Sequence, residues 1–177
     1  MAVDLGEQIS TASRSLYQGD GFRQQAPRYD PMSGEGARMQ GGRFNPPASF
    51  AVLYLCSTRA CAVAEFLSTA NRHPIGPAAF LPRVLYRYEI ALSSTLDLTD
   101  PAILAHLGMT AQQLVDDDWS VTQDIGRLAH EFGYQAVANP SATDTDTVLA
   151  IFTENMRNGT VIPTLVEEWN ALDSLDP

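Results

Sequence analysis

Residues 26–47 read APRYDPMSGEGARMQGGRFNPP, a stretch in which Arg28 and Arg43 bracket glycines at 34, 36, 41 and 42. Glycine lets the backbone take positive φ and approach a ligand closely, and backbone N–H groups in such turns form concave anion sites. Arginine adds a planar fork that grips a phosphate through paired hydrogen bonds. The combination points to phosphate binding, weighed against the plain alternative that each arginine is solvated surface. It is not a Walker loop, because no lysine precedes a Ser or Thr, and no G-x-G-x-x-G links a strand to a helix. Tyr54 follows in an apolar run, and Glu65 in RACAVAEFLSTA, which is apolar apart from Arg59 and Glu65. An acid among alanines is either a helix-surface carboxylate or a buried one, and buried acids are usually paired or functional.

The elements that must position these residues are legible from pattern. Residues 1–15 are small and polar, a weak helix or a loose arm, and 16–177 form the domain proper. Leu16 to Arg23 reads as a short strand broken by Gly19 and Gly21, and 24–49 as a long loop of the kind that carries function. Ala51 to Cys56 is a buried strand. Ser57 or Thr58 caps a helix that ends near Asn71. Arg83 to Leu92 alternates Val84, Tyr86, Tyr88 and Ile90 as a strand does, and Leu96 to Leu98 continues it. Asp100 before Pro101 opens a short helix, Thr110 caps another, and Ser120 to Phe132 is a longer one closed by Gly133. Tyr134 to Ala138 and Thr147 to Thr153 are strands around the loop Asn139–Asp146, and Val161 to Thr164 is a last strand before a helical tail. The class is α+β, in a single domain.

Composition excludes several functions. The chain has 177 residues, 45% of them apolar, and no apolar run of membrane-spanning length. The N-terminal segment carries Asp4 and Glu7 rather than a signal-peptide pattern, so a cytoplasmic location is expected. The formal net charge is −10, and all 11 basic residues are arginine. An acidic chain does not bind nucleic acid by general electrostatics. The arginines are unevenly placed: residues 14–43 carry five against three acids, whereas 89–177 carry two against 15. Cys56 and Cys61 read as two buried thiols, and no cluster has metal-ligand spacing.

The run from Pro27 to Phe66 resembles the RES-domain family. That family has an Arg before a loop reading S-G-x-G-A, then G-G-R-[FW]-N-x-x-G, a strand with Tyr, and A-x-x-E. This chain has PRY, SGEGA, GGRFNPP, VLYL and AVAEF in that order. LDLTDPAILAHLG, DDDWSVTQDIG and GYQAVANPS follow in the family's order, so the resemblance covers roughly residues 16–155. Two departures stand out. Ala48 replaces a frequent Gly, and ATDTDTVLA after Ser141 is more acidic than usual.

The resemblance implies a mixed β-sheet core with surrounding helices, like that of ADP-ribosyltransferase toxins, and NAD⁺ as substrate, with inorganic phosphate as a candidate co-substrate and no metal. It implies Arg28, Tyr54 and Glu65 as catalytic residues, with Arg43 and Ser141 binding substrate. Tyr29 beside the Arg would border the adenine or ribose. Gln123, on an otherwise apolar helix, would line the pocket or make a structural hydrogen bond. Nicotinamide leaves NAD⁺ as a neutral molecule and needs no general acid, so one carboxylate can suffice where ordinary glycosidases use two. Glu65 would stabilise the oxocarbenium-like ribose, Arg28 and Arg43 would hold the diphosphate, and Tyr54 would stack on nicotinamide or the ribose edge. Water, phosphate or a protein side chain as acceptor would give a glycohydrolase, a phosphorylase or an ADP-ribosyltransferase. A non-catalytic interaction module and a phosphate-ester enzyme are the readings from other classes. An NAD⁺-consuming toxin implies an inhibitory antitoxin, helical, DNA-binding and Xre-like, and allows a homodimer within that complex. Trp119, Tyr86 and Tyr88 are expected in the core, His73, His106 and His130 on the surface, and Asp116–Asp118 at a solvated helix end.

Overall fold

The computed structural model describes residues 4–142 and 146–176. Six strands form one sheet: β1 (Ser15–Gln25), β2 (Val52–Cys56), β3 (Arg83–Asp97), β4 (Ala136–Pro140), β5 (Thr147–Phe152) and β6 (Thr160–Trp169). β3 organises it. Antiparallel β1 runs along one edge of β3, from Gln25 opposite Val84 to Ser15 opposite Thr95. On the other edge β6 pairs at Arg83–Ala91, and β4 takes over in parallel at Thr95–Asp97. β5 joins β4 to β2, and β2 meets β1 at Phe22 and Cys56, so the pairings from β1 through β2, β5, β4 and β3 return to β1.

This ring has an inside because strands alternate their side chains. Leu53, Leu55, Leu149 and Ile151 point inward onto Tyr88, Ile90 and Leu92 of β3. Their neighbours Val52, Tyr54, Ala150 and Phe152 face outward to the helical layer. Gly21 does not break β1 as the sequence suggests. It faces the inside, where an added Cβ would lie 2.7 Å from Ile90 Cδ1, so glycine is what lets β1 approach β2 and β3.

The helices are α1 (Leu5–Thr11), α2 (Glu35–Gln40), α3 (Arg59–Ala70), α4 (Pro101–His106), α5 (Ala111–Val115) and α6 (Ser120–Glu131). The N-terminal segment is a docked helix rather than a loose arm. Ile9 is fully buried, and the Tyr134 hydroxyl donates to the Ile9 and Ala12 carbonyls at 2.9 and 3.1 Å. Arg14 then donates to the Phe132 and Gly133 carbonyls, satisfying the C-terminal end of α6. The long loop contains α2, and the last strand is longer than its apolar centre indicates. Caps fall where the sequence puts them. Thr58 accepts from Cys61 N, Asp100 from Ala102 N, and Thr110 forms a full capping box with Gln113. No helix among the described residues is long and apolar enough to cross a membrane.

Candidate active site

The segment Gly41–Asn45 is a tight turn held from three sides. Gly42 and Asn45 exchange backbone hydrogen bonds at 2.9 and 3.3 Å. The Tyr54 hydroxyl, projecting from β2, accepts from Phe44 N at 2.8 Å and donates to Asn45 Oδ1 at 2.9 Å. Asn45 Nδ2 donates to the Ala37 carbonyl of α2 at 2.7 Å, and Gln123 Nε2 of α6 donates to the Gly42 carbonyl at 3.0 Å. Each residue type has a reason. Gly41 has φ +78°, Gly42 lies where a Cβ would be 2.6 Å from the Tyr54 oxygen, and the Phe44 ring is buried in the helical core. What remains is Arg43, which the turn presents outward. Its Nη1 donates to the Leu114 and Asp116 carbonyls at 3.0 and 2.7 Å, and its guanidinium lies over the Trp119 ring. Burial lowers its pKa, opposed by the charges of Glu65 and Asp117.

Burial raises the Tyr54 phenol well above its ordinary value, so it stays protonated and serves as donor. Tyr54→Phe leaves Phe44 N and the buried Asn45 Oδ1 without that partner. We expect a loss of about 1–3 kcal/mol, measured by denaturant unfolding. A stability equal to wild type would show that the hydroxyl does not hold the turn.

Across the cavity stands α3. Thr58 Oγ1, its N-cap, also donates to Asp146 Oδ2 at 2.7 Å, and Ser141 N donates to the Asp146 carbonyl at 2.7 Å. Strand β4 and the start of α3 are thereby tied together, and Ser141 Oγ reaches Glu65 Oε1 at 3.4 Å. Cys61 Sγ lies 3.8 Å from the same Ser141 oxygen. The two thiols are buried and free, and a hydrogen bond between them raises the Cys56 pKa and lowers that of Cys61. Glu65, Arg43, Tyr54 and Trp119 line one cavity of about 350 Å³, within the range of small-molecule sites. This is a carboxylate facing a cation across a partly apolar pocket, an arrangement that stabilises a developing positive charge on one side and holds an anion on the other.

The RES domain model matches residues 18–172. The chain belongs to the RES domain family. It is 33% identical over 144 residues to the NAD(+) phosphorylase MbcT of Mycobacterium tuberculosis, covering 78% of this chain and 75% of that protein. A probable NAD(+) phosphorylase of the same organism is 29% identical over 140 residues, covering 79% of this chain and 66% of that protein. In structure the chain resembles MbcT in the M. tuberculosis MbcT–MbcA toxin–antitoxin complex, with a TM-score of 0.78, 26% identity, and coverage of 97% of this chain and 93% of the other.

The candidate site residues fall into three groups. Glu65, Tyr54 and Arg43 line the cavity, with Ser141 bonded to Glu65. Gln123 stands behind the Gly41–Asn45 turn and makes the structural hydrogen bond rather than a pocket wall. Arg28 and Tyr29 sit on the exposed turn after β1, where Arg28 Nη2 donates to the Tyr29 hydroxyl at 2.9 Å. Tyr29 lines an adjoining depression of about 620 Å³ that shares Arg23 and Gln24 with the main cavity. Arg83 lines that depression too, its pKa lowered by burial and by the nearby Arg23 and Arg28 charges. The RES position that often carries Gly is Ala48 here, and it has φ +56°, the conformation glycine favours. The more acidic segment after Ser141 includes Thr143–Thr145, which lie outside the described residues.

Sequence reasoning missed Arg23, Asn139 and the α3 residues Ser68 and Thr69, with Arg72 just beyond them, as cavity residues. The helical period from Glu65 was the available signal for the last three. Trp119 is a rim residue, 39% exposed, not core, because its ring serves the Arg43 guanidinium. His130 is not free surface: it stacks on Phe50 at 4.1 Å between centroids.

Proposed function

We propose that this protein is a toxin that destroys NAD⁺ by phosphorolysis of the nicotinamide–ribose bond, and that an antitoxin restrains it. The observation that carries the reading is the Glu65 carboxylate in one cavity with Arg43 and Tyr54, in a chain similar to proteins named NAD(+) phosphorylases. The nicotinamide ribose occupies the main cavity. As the glycosidic bond breaks, its electron pair passes to the pyridinium nitrogen and positive charge gathers at the ribose. Glu65 faces that charge, and Ser141 fixes the carboxylate's orientation. Tyr54 contributes its ring, since its hydroxyl is committed to the turn. The diphosphate lies toward Arg43 and the ADP half extends into the depression beside Tyr29, where Arg23, Arg28 and Arg83 gather positive charge.

The solved relative in a toxin–antitoxin complex supports a protein inhibitor. We assign its kind to a small helical, DNA-binding protein. The acidic and aromatic rim formed by Asp116, Asp117 and Trp119 suits a basic partner element.

Purified protein free of antitoxin, mixed with NAD⁺ and inorganic phosphate, should release nicotinamide and ADP-ribose-1″-phosphate, followed by mass spectrometry. Omitting phosphate should stop the reaction. Free ADP-ribose with no phosphate dependence would make the protein a glycohydrolase, and intact NAD⁺ would remove the reading altogether.

A further inference from the structure

The acceptor has to arrive beside Glu65 as a dianion, and a carboxylate repels it. A phosphorylase therefore needs a second cationic site, separate from the one that holds the diphosphate. Helix α3 supplies a candidate. At 3.6 residues per turn, Glu65, Ser68, Thr69 and Arg72 fall within an arc of about 100°. Asn71 keeps helical dihedrals beyond Ala70, so Arg72 continues the same face. All four line the main cavity. Among the described residues, the hydroxyls of Ser68 and Thr69 and the guanidinium of Arg72 make no hydrogen bond and no ion pair with protein.

The cavity's other arginines, Arg23 and Arg43, are engaged. Arg43 spends one nitrogen on two carbonyls, and Arg23 donates to the Pro31 and Ser33 carbonyls, closing the loop after β1. Arg38 pairs with Glu35 and Arg59 with Glu167. Arg72 is the cavity cation that no protein group engages among the described residues. The C-terminal end of a helix by itself repels an anion, and a guanidinium placed at that end reverses the local charge.

We propose that Ser68, Thr69 and Arg72 form the subsite for the acceptor, inorganic phosphate, one to two helical turns from Glu65. The inference rests on the phosphorolysis reading. An oxygen of HPO₄²⁻ forms the bond to the anomeric carbon while the carbon–nitrogen bond breaks and its pair neutralises the pyridinium. Nicotinamide leaves uncharged, the phosphate keeps its one proton in the monoester product, and no base is required.

The test uses the full chain free of antitoxin, with phosphate varied at saturating NAD⁺ and nicotinamide release measured. Arg72→Ala should raise the KM for phosphate at least about tenfold, the loss of one charge-assisted contact, while the KM for NAD⁺ stays within about twofold. Arg72→Lys should recover part of that loss by restoring charge without the fork. Ser68→Ala combined with Thr69→Val should raise the phosphate KM in the same direction. An unchanged phosphate KM in Arg72→Ala overturns the subsite while leaving phosphorolysis standing. An equal rise in both KM values also overturns it, because Arg72 would then hold NAD⁺. Wild-type protein that consumes no NAD⁺, or consumes it without phosphate, overturns the subsite together with the reading beneath it.

Discussion

Glu65→Gln should release nicotinamide from NAD⁺ at least about 10²-fold more slowly than wild type, because the lost charge is the one we assign to face the cationic ribose in the transition state. The substitution is nearly isosteric. It keeps an oxygen for the Ser141 hydroxyl, which lies 3.4 Å from Glu65 Oε1, and keeps the α3 face in shape. The melting temperature should therefore move by under about 3 °C, equivalent to less than roughly 1 kcal/mol for a domain of this size. The KM for NAD⁺ should change little, since the ground-state grip is assigned to the arginines. Glu65→Asp separates charge from position. It retains the carboxylate but withdraws it by one methylene, and a displacement of about 1 Å can itself cost on the order of 10²-fold. Full activity in Glu65→Gln would end the mechanism whatever the fate of the fold.

What the sequence could and could not show follows from the range of the interactions. The strand β2, the α3 cap at Thr58 and the capping box at Thr110 are written in neighbouring residues, and they stand where the pattern put them. From the sequence alone β1 reads as broken, because Gly19 and Gly21 weaken a strand locally. The reason for Gly21 is Ile90, close only through a pairing between distant parts of the chain. Glu65 stands out as an acid among alanines and Arg43 as one of the two arginines bracketing the glycines, and the family resemblance adds Ser141 and gives Tyr54 a role. The structure sets Glu65, Arg43 and Tyr54 around one cavity. The division of labour was not legible. That Tyr54 spends its hydroxyl on the turn depends on the chain folding back over the residues between them, and that Gln123 clamps the turn from behind and Trp119 leaves the core to meet Arg43 depend on contacts across tens of residues. Arg28, read as a site residue by motif, and Tyr29, read from its place beside it, lie on an exposed turn beside the second depression and outside the lining of the Glu65 cavity.

The strongest structural dependence in the site lies at a residue with no chemistry. Gly126 is in the middle of α6, where an added Cβ would stand 1.8 Å from the Phe44 carbonyl oxygen, 2.6 Å from its carbon and 2.8 Å from its Cα. All three are backbone atoms, so no flexible side chain can yield. Either α6 must move outward, opening its packing through Ile125 and Ala129, or the Gly41–Asn45 turn must move, breaking its bonds to Tyr54 and Gln123. Gly126→Ala should cost roughly 3 kcal/mol, at the upper end of what overpacking produces, even though alanine is the better helix former by about 1 kcal/mol. In a domain of this length that lowers the melting temperature by about 6–12 °C. Nicotinamide release by the folded fraction should fall as well, because Arg43 rides on the turn that is pushed. Gly36→Ala is the control: it is exposed in α2, and a Cβ there meets nothing within 4 Å, so it should be neutral or slightly stabilising. Equal melting temperatures for Gly126→Ala and Gly36→Ala would mean that α6 does not brace the arginine turn. A drop confined to Gly126→Ala, with activity lost alongside stability, would tie the reach of Arg43 to the absence of one methyl group on the helix behind it.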